Sequence, residues 1–174
     1  MPAKAARGPA FRAIIVLVPL LELLGGASAR VGSAQNNPWY EALTLPALQP
    51  PGPVFGIAWA ILYALIASAA GLVWATKVPG RTIALLLFAA QMAMNLAWAP
   101  LFFREHQILW SLVLLGCIWL ASVVTTFAFA RVNRLAAWLM VPYLIWLTFA
   151  SGLNWQILQD NPHGGPTVLA QERN

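Results

Sequence analysis

Between Phe11 and Leu158 the chain carries five apolar stretches, at about residues 11–31, 54–76, 82–103, 107–130 and 135–158. Each is close to the roughly 20 residues that an α-helix needs to cross a bilayer. The breaks between them are short and polar: a proline-rich stretch, then Lys77-Val-Pro-Gly-Arg81, Arg104-Glu-His106 and Arg131-Val-Asn-Arg134. Inside lipid no water satisfies backbone N–H and C=O groups, so an apolar stretch of this length must close its hydrogen bonds as a helix. The expected fold is therefore an all-α membrane protein, a bundle of five transmembrane helices. It forms one domain over 11–158, with tails at 1–10 and 159–174. Connections this short predict that spans two to five pack as sequential antiparallel neighbours.

Composition supports the choice of solvent. Of 174 residues 60% are apolar and 9% charged, with a mean hydropathy of +0.71. A soluble domain carries charge on about a quarter of its residues. The +5 net charge does not signal nucleic acid, because the basic residues are scattered between apolar runs and form no stripe with stacking aromatics. A single cysteine, Cys117, excludes an internal disulfide and a cysteine metal cluster, and its place mid-way along an apolar run suggests a packed thiol. The two histidines, His106 and His163, lie far apart in polar connections. No metal site is expected, and no hydrolase or phosphate-loop motif is present.

The first stretch admits two readings. Lys4, Arg7 and Arg12 precede an apolar core that ends in Ala27-Ser-Ala29, the layout of a cleavable signal peptide. Against that, Glu22 interrupts the core, and Pro19 with Gly25-Gly26 suits a kinked, closely packed membrane helix, the favoured reading. With five spans, Lys4, Arg7, Arg12, Lys77, Arg81, Arg131 and Arg134 share one side with no acid. The other side holds Arg30, Arg104 and Arg173 against Glu41, Glu105, Asp160 and Glu172. In a bacterial cell membrane this bias places the N-terminus in the cytoplasm and the proline-rich loop outside. In an outer membrane the same pattern is less diagnostic.

Nine tryptophans are distributed in two ways. Trp39, Trp110, Trp138 and Trp155 lie near segment ends, where indoles anchor at headgroup depth. Others lie deeper and in register. Phe55, Trp59 and Tyr63 recur every four residues on the second span and so share a face. Phe88, Gln91, Asn95, Trp98 and Phe102 follow steps of three and four on the third, as do Tyr143, Trp146, Ala150 and Asn154 on the fifth. The amides cannot face hydrocarbon and must look inward. On spacing alone two readings stay level: a flat apolar pocket with polar handles, or interhelical hydrogen bonds within a packed core. Glu22 is the one acid well inside a span and a functional candidate on that ground.

Three motif blocks then stand in order. The first is Trp39-Tyr40, Leu43-x-x-Pro46 and Pro50-Pro51-x-x-Val54-Phe55-x-x-x-Trp59-x-x-x-Tyr63. The second is Gln91-x-x-x-Asn95-x-x-Trp98-x-x-x-Phe102-Phe103, and the third Pro142-Tyr143-Leu144-x-Trp146-x-x-Phe149-Ala150-x-x-Leu153-Asn154. From Trp39 to Asn154 the chain resembles the tryptophan-rich sensory protein family, the bacterial branch of the translocator protein (peripheral-type benzodiazepine receptor) family. The resemblance implies five tightly packed helices, a homodimer, and a pocket near the first loop for tetrapyrroles such as protoporphyrin IX. No other cofactor is implied. The positions matching that pocket are Trp39, Tyr40 and Pro46 in the loop, Trp59 and Tyr63, then Gln91, Asn95 and Trp98, and finally Tyr143, Trp146 and Ala150.

The expected function is that of a membrane receptor or transporter for porphyrin-like ligands, with a sensory or regulatory role. One alternative is light- and oxygen-dependent porphyrin breakdown, for which Trp59 and Trp98 would be the redox partners. A second is a structural assembly partner in the membrane. Family loops usually place tryptophan before the Pro-Pro pair and often lysine before the first proline; here those places read Ala47-Leu48 and Leu45. The sterol-recognition pattern of animal relatives has no counterpart in Leu153-Asn-Trp-Gln-Ile-Leu-Gln-Asp160, so sterol binding is not carried over. Four prolines between Pro46 and Pro53 cannot form a helix and favour an extended, pre-ordered path, expected to act as a lid over the pocket.

Overall fold

The structure, a computed structural model, describes residues 7–32, 37–162 and 164. Lys4, Glu172, Arg173 and His163 lie outside the described residues, as do residues 1–6 of the N-terminal tail and most of the C-terminal one. Six helices follow in order: α1 (Arg7–Val31), a short α2 (Pro38–Glu41), α3 (Gly52–Ala75), α4 (Arg81–Ala99), α5 (Ile108–Val132) and α6 (Arg134–Asp160). A π-helical turn, Pro100–Arg104, continues α4. There is no strand among the described residues. The five long helices are each long and apolar enough to span a membrane, which makes the chain an integral, multi-pass membrane protein.

The helix ends lie where polar or helix-breaking residues punctuate the chain. Gly80, with φ of 87°, takes the left-handed turn that lets α4 start at Arg81. Asn133 caps α6, its side-chain oxygen accepting from the Leu135 and Ala136 N–H groups at 3.0 and 3.3 Å. The connection between α1 and α3 also contains α2, which no periodicity in the sequence announced. Asn37 caps it by accepting from the Tyr40 N–H.

Packing order departs from the expected sequence of neighbours. Going around the bundle, α1 packs on α3, α3 on α6, α6 on α5 and α5 on α4; α4 touches α1 and α3 only sparsely. Thus the second and third spans, joined by a short turn, are not close neighbours along their length. The second packs on the fifth instead. The physical cause lies in side-chain size: α3 turns Ala67, Ala69 and Ala70 inward with Ile66 and Val73, all fully or almost fully buried. Such a face admits close approach by α6, whose Met140, Tyr143 and Leu147 fill the same core. The opening left between α1, α3 and α4 becomes the cavity described below.

Two further sequence expectations change. Cys117 is exposed on the outer face of α5 and is not a packed thiol, because the buried stripe of α5 passes through Leu115 and Ile118 instead. Trp39 is only 4% exposed and donates its indole N–H to the Gly164 carbonyl at 3.0 Å. It is therefore an interior residue and no interface anchor, whereas Trp110, Trp138 and Trp155 stay exposed near helix ends.

α1 is built into the bundle by small residues. A Cβ on Gly25 would overlap the Tyr63 ring, one on Gly71 would overlap Ile14, and one on Gly32 would overlap the backbone at Ala99 and Pro100. The last contact has a chemical origin. Pro100 has no N–H, so the Leu96 carbonyl loses its normal partner four residues on. The Ser28 hydroxyl of α1 donates to that carbonyl at 2.5 Å. The proline that unwinds the end of α4 thus creates the acceptor that holds α1. This predicts that Ser28→Ala lowers stability by about 1 kcal/mol through the lost bond to a part-buried carbonyl. Pro100→Ala restores the missing donor, so the two changes should be non-additive. Thermal unfolding in detergent of both single variants and the double variant measures the coupling.

Candidate functional site

A chain of hydrogen bonds crosses the bundle at the level of Asn95. The Tyr63 hydroxyl of α3 donates to the Asn95 side-chain oxygen at 2.9 Å, and the Asn95 amide donates to the Tyr143 hydroxyl of α6 at 2.9 Å. Tyr143 donates to the Gln91 side-chain oxygen at 3.1 Å, which also accepts from Ser122 of α5 at 3.1 Å. Four helices meet through five side chains. Nearer the α2 side, the Trp98 indole donates to the Ser111 carbonyl, and Ser111 donates to Asn154. These are the amides that spacing required to face inward.

Above this network lies a cavity of about 450 Å³ between α1, α3 and α4. Its walls are aromatic: Phe55, Trp59 and Tyr63 from α3, with Trp98 and Phe103 from α4 and its π turn. Asn95 reaches the cavity as its polar handle, while Leu115 and Ala150 contribute from α5 and α6. Gly52, Gly56 and Ala60 of α3 and Ala99 of α4 add small surfaces, while α1 contributes Gly25, Gly26, Ser28 and Ala29, with Gly32 just beyond it, and Glu22 and Arg30 supply the charges. The volume lies within the roughly 300–1,000 Å³ typical of small-molecule sites.

Of the eleven positions expected in the pocket, Trp59, Tyr63, Asn95, Trp98 and Ala150 come together on its wall. Trp146 supports the wall from behind, 6.2 Å from Trp59 and 5.3 Å from Phe55 between ring centroids. Gln91 and Tyr143 are fully buried and act through the network. Gln91 thus ties helices together, whereas Asn95 both ties them and reaches the cavity.

The loop positions lie elsewhere. Trp39 stacks on His106 at 4.3 Å and meets Phe102 edge-on, in a separate core with Leu43, Ile108 and Ile157. Tyr40 packs on Phe103 at 5.1 Å, on the far side of a residue that lines the cavity. Burial raises the Tyr40 phenol above its ordinary pKa of 10.0, keeping it neutral at physiological pH. Pro46 is buried in the turn that Gln49 N–H closes onto the Pro46 carbonyl. Thr44 exchanges two hydrogen bonds with Asn161, both 3.0 Å, so the loop is fastened to the end of α6. Residues 38–51 contribute nothing to the cavity wall. The proline-rich segment therefore buttresses the π turn and the end of α6, and after it the chain first reaches the cavity at Gly52.

Sequence reasoning missed the α1 wall. Its signal was present in the run Gly25-Gly26-Ala27-Ser28-Ala29, which reads equally well as close packing or a cleavage site. Only the position of α1 against Tyr63 and Ala99 distinguishes a packed interface from a cavity lining.

A multi-pass membrane protein with an aromatic cavity between its first three spans is the class that fold and site define. Residues 14–159, from within α1 to the end of α6, match the TspO/MBR family. The chain is 38% identical over 137 residues to the "Tryptophan-rich sensory protein" of Cereibacter sphaeroides, covering 78% of this chain and 85% of that one. It is 40% identical over 126 residues to the "Tryptophan-rich protein TspO" of Chlorobaculum tepidum, covering 71% and 80%. It is also 40% identical over 130 residues to the human "Translocator protein", covering 72% and 76%. The chain belongs to the TspO/MBR family.

The network yields a graded prediction. Tyr143→Phe strips a partner from both Asn95 and Gln91 at a fully buried position, which costs about 1–3 kcal/mol. Tyr63→Phe removes only the terminal donor, beside the cavity, and should cost less. The melting temperatures of the two variants should therefore rank with Tyr143→Phe below Tyr63→Phe.

Proposed function

We propose that this protein is a membrane receptor or transporter for flat, hydrophobic, tetrapyrrole-class ligands such as protoporphyrin IX. The observation that supports this reading is the cavity wall of Trp59, Trp98, Phe55 and Phe103 around the amide of Asn95. Indole faces offer an extended ring system large contact area at low conformational cost. An amide fixes orientation without demanding a charge. The family resemblance points the same way, and a sensory or regulatory role in tetrapyrrole or stress response follows from it. The protein acts as a homodimer on this reading, in a bacterial cell membrane with its N-terminus in the cytoplasm. Among the described residues, Arg7, Arg12, Lys77, Arg81, Arg131 and Arg134 share one end of the bundle with no acid, in keeping with that orientation.

The position of Trp59 and Trp98 on facing walls favours one second reading. On this reading the protein breaks down bound porphyrin under light and oxygen with the two cavity-lining indoles as redox partners, and their shared lining of the cavity supports it. Illumination of the complex with product analysis separates breakdown from binding alone, and loss of product in Trp59→Phe would assign the role.

Affinity is the primary test. Stacking on one aromatic side chain contributes roughly 1–3 kcal/mol, so Trp59→Ala or Trp98→Ala should weaken protoporphyrin IX binding about ten- to hundredfold. Trp138→Ala, on the outer face, should leave it unchanged. Titration followed by the porphyrin's own absorption band avoids the loss of indole signal. Equal affinity in all three variants would refute the site.

A further inference from the structure

Glu22 remains outside everything above. It lies well inside α1, it lines the cavity, and among the described residues it has neither an ion-pair nor a hydrogen-bond partner. A carboxyl group inside a span is costly and is normally paired or placed toward a watery cavity. Here the second condition holds and the first does not.

Its neighbours define what would pair with it. Gly25, one turn along α1, has the Tyr63 ring against its backbone. Tyr63 is followed one turn back by Trp59, with ring centroids 5.4 Å apart. The carboxyl therefore shares one end of the cavity with a phenol ring and an indole. Aromatic faces attract cations through their quadrupole, most strongly when desolvated, and Trp and Tyr around a negative group form the usual cage for an ammonium. The cavity's other charge, Arg30, lies eight residues further on, about 12 Å along the helix at 1.5 Å per residue. It marks the opposite end of the cavity, near Gly32 and Gly52, and leaves the Glu22 end free for a positive group.

We infer that Glu22, with Trp59 and Tyr63, forms a cation-selective subsite of the cavity, so that the protein also takes flat aromatic amines and prefers them, when protonated at one edge, to neutral ligands of the same shape. The inference rests on the cavity being the ligand site. It goes beyond the porphyrin reading: protoporphyrin IX carries two carboxylates and no protonated amine, so the Glu22 end serves a second ligand class, selected by a charge that the aromatic walls and Asn95 cannot supply. The missing counter-ion of Glu22 is then the ligand's ammonium group, brought in with the ring that stacks beside it.

The test uses two probes of one size and shape: 1-pyrenemethylamine, cationic at neutral pH, and neutral 1-pyrenemethanol. Binding to the full chain in detergent micelles is read by energy transfer from tryptophan to pyrene. Wild-type protein should bind the amine about tenfold or more tighter than the alcohol, the scale of one desolvated charge and cation–π contact. Glu22→Gln should erase the difference by weakening the amine alone, while Glu22→Asp, which keeps the charge, should retain most of it. Equal affinities in wild-type protein overturn the inference without recourse to any variant, as does a preference that survives Glu22→Gln. In either case, alcohol binding that falls in Trp98→Ala still upholds the cavity as the site. If neither probe responds to Trp98→Ala, the cavity reading falls and this inference falls with it.

Discussion

Amide groups buried where no water reaches them govern this structure. Gln91 and Asn95 lie inside a helix that must cross hydrocarbon, and their hydrogen bonds can be met only by other side chains. Tyr63, Tyr143 and Ser122 bond to them, one from each of three other helices, and of the two amides' polar atoms only the Gln91 Nε2 is left without a partner among the described residues. Because each bond is directional, the network fixes rotation and depth of α3, α4, α5 and α6 together, which apolar packing in lipid does poorly. The aromatic walls then take their place. Trp59 lies one turn from Tyr63, Trp98 follows Asn95 by three residues, and Trp146 follows Tyr143 by three.

The cavity exists because α4 is held away from α1 and α3 along much of its length while being pinned at one end. Pro100 breaks the helix, frees the Leu96 carbonyl for Ser28, and brings Gly32 against the backbone at Ala99. A π turn follows and carries Phe102 and Phe103 to opposite duties. Phe102 stacks on Trp98 and closes the loop-side core, and Phe103 faces the cavity. A local irregularity of this kind is costly in lipid unless neighbouring groups satisfy the freed backbone, which the α1 serine does. Such breaks in membrane helices are accordingly found beside cavities.

The proline-rich connection has a different role from the one its composition suggests. Stiffness alone is compatible with a lid or with a strut. Thr44 bonded to Asn161, Pro46 buried in its turn, and Tyr40 packed behind Phe103 make it a strut that supports one cavity wall from outside. The absence of tryptophan at Ala47 and Leu48 therefore bears on the loop's outer surface. Leu48 is in fact among the most exposed apolar side chains of the chain, at 75%.

Much of this was legible in the sequence. The number, length and polar punctuation of the apolar stretches determine five helices, because a bilayer leaves the backbone no other way to satisfy itself. The three- and four-residue spacing of Phe88, Gln91, Asn95, Trp98 and Phe102, and of Tyr143, Trp146, Ala150 and Asn154, determines which faces turn inward. Periodicity, however, is a property of one helix at a time. It does not say that α3 packs on α6 and not on α4, that Gln91 ends in the core while Asn95 reaches the cavity, or that Trp39 turns away from it. Nor does a run of glycine, serine and alanine in α1 reveal whether it touches a helix or faces an opening. Those outcomes depend on how bulky and small faces from distant parts of the chain fit against each other, and only the tertiary structure decides that.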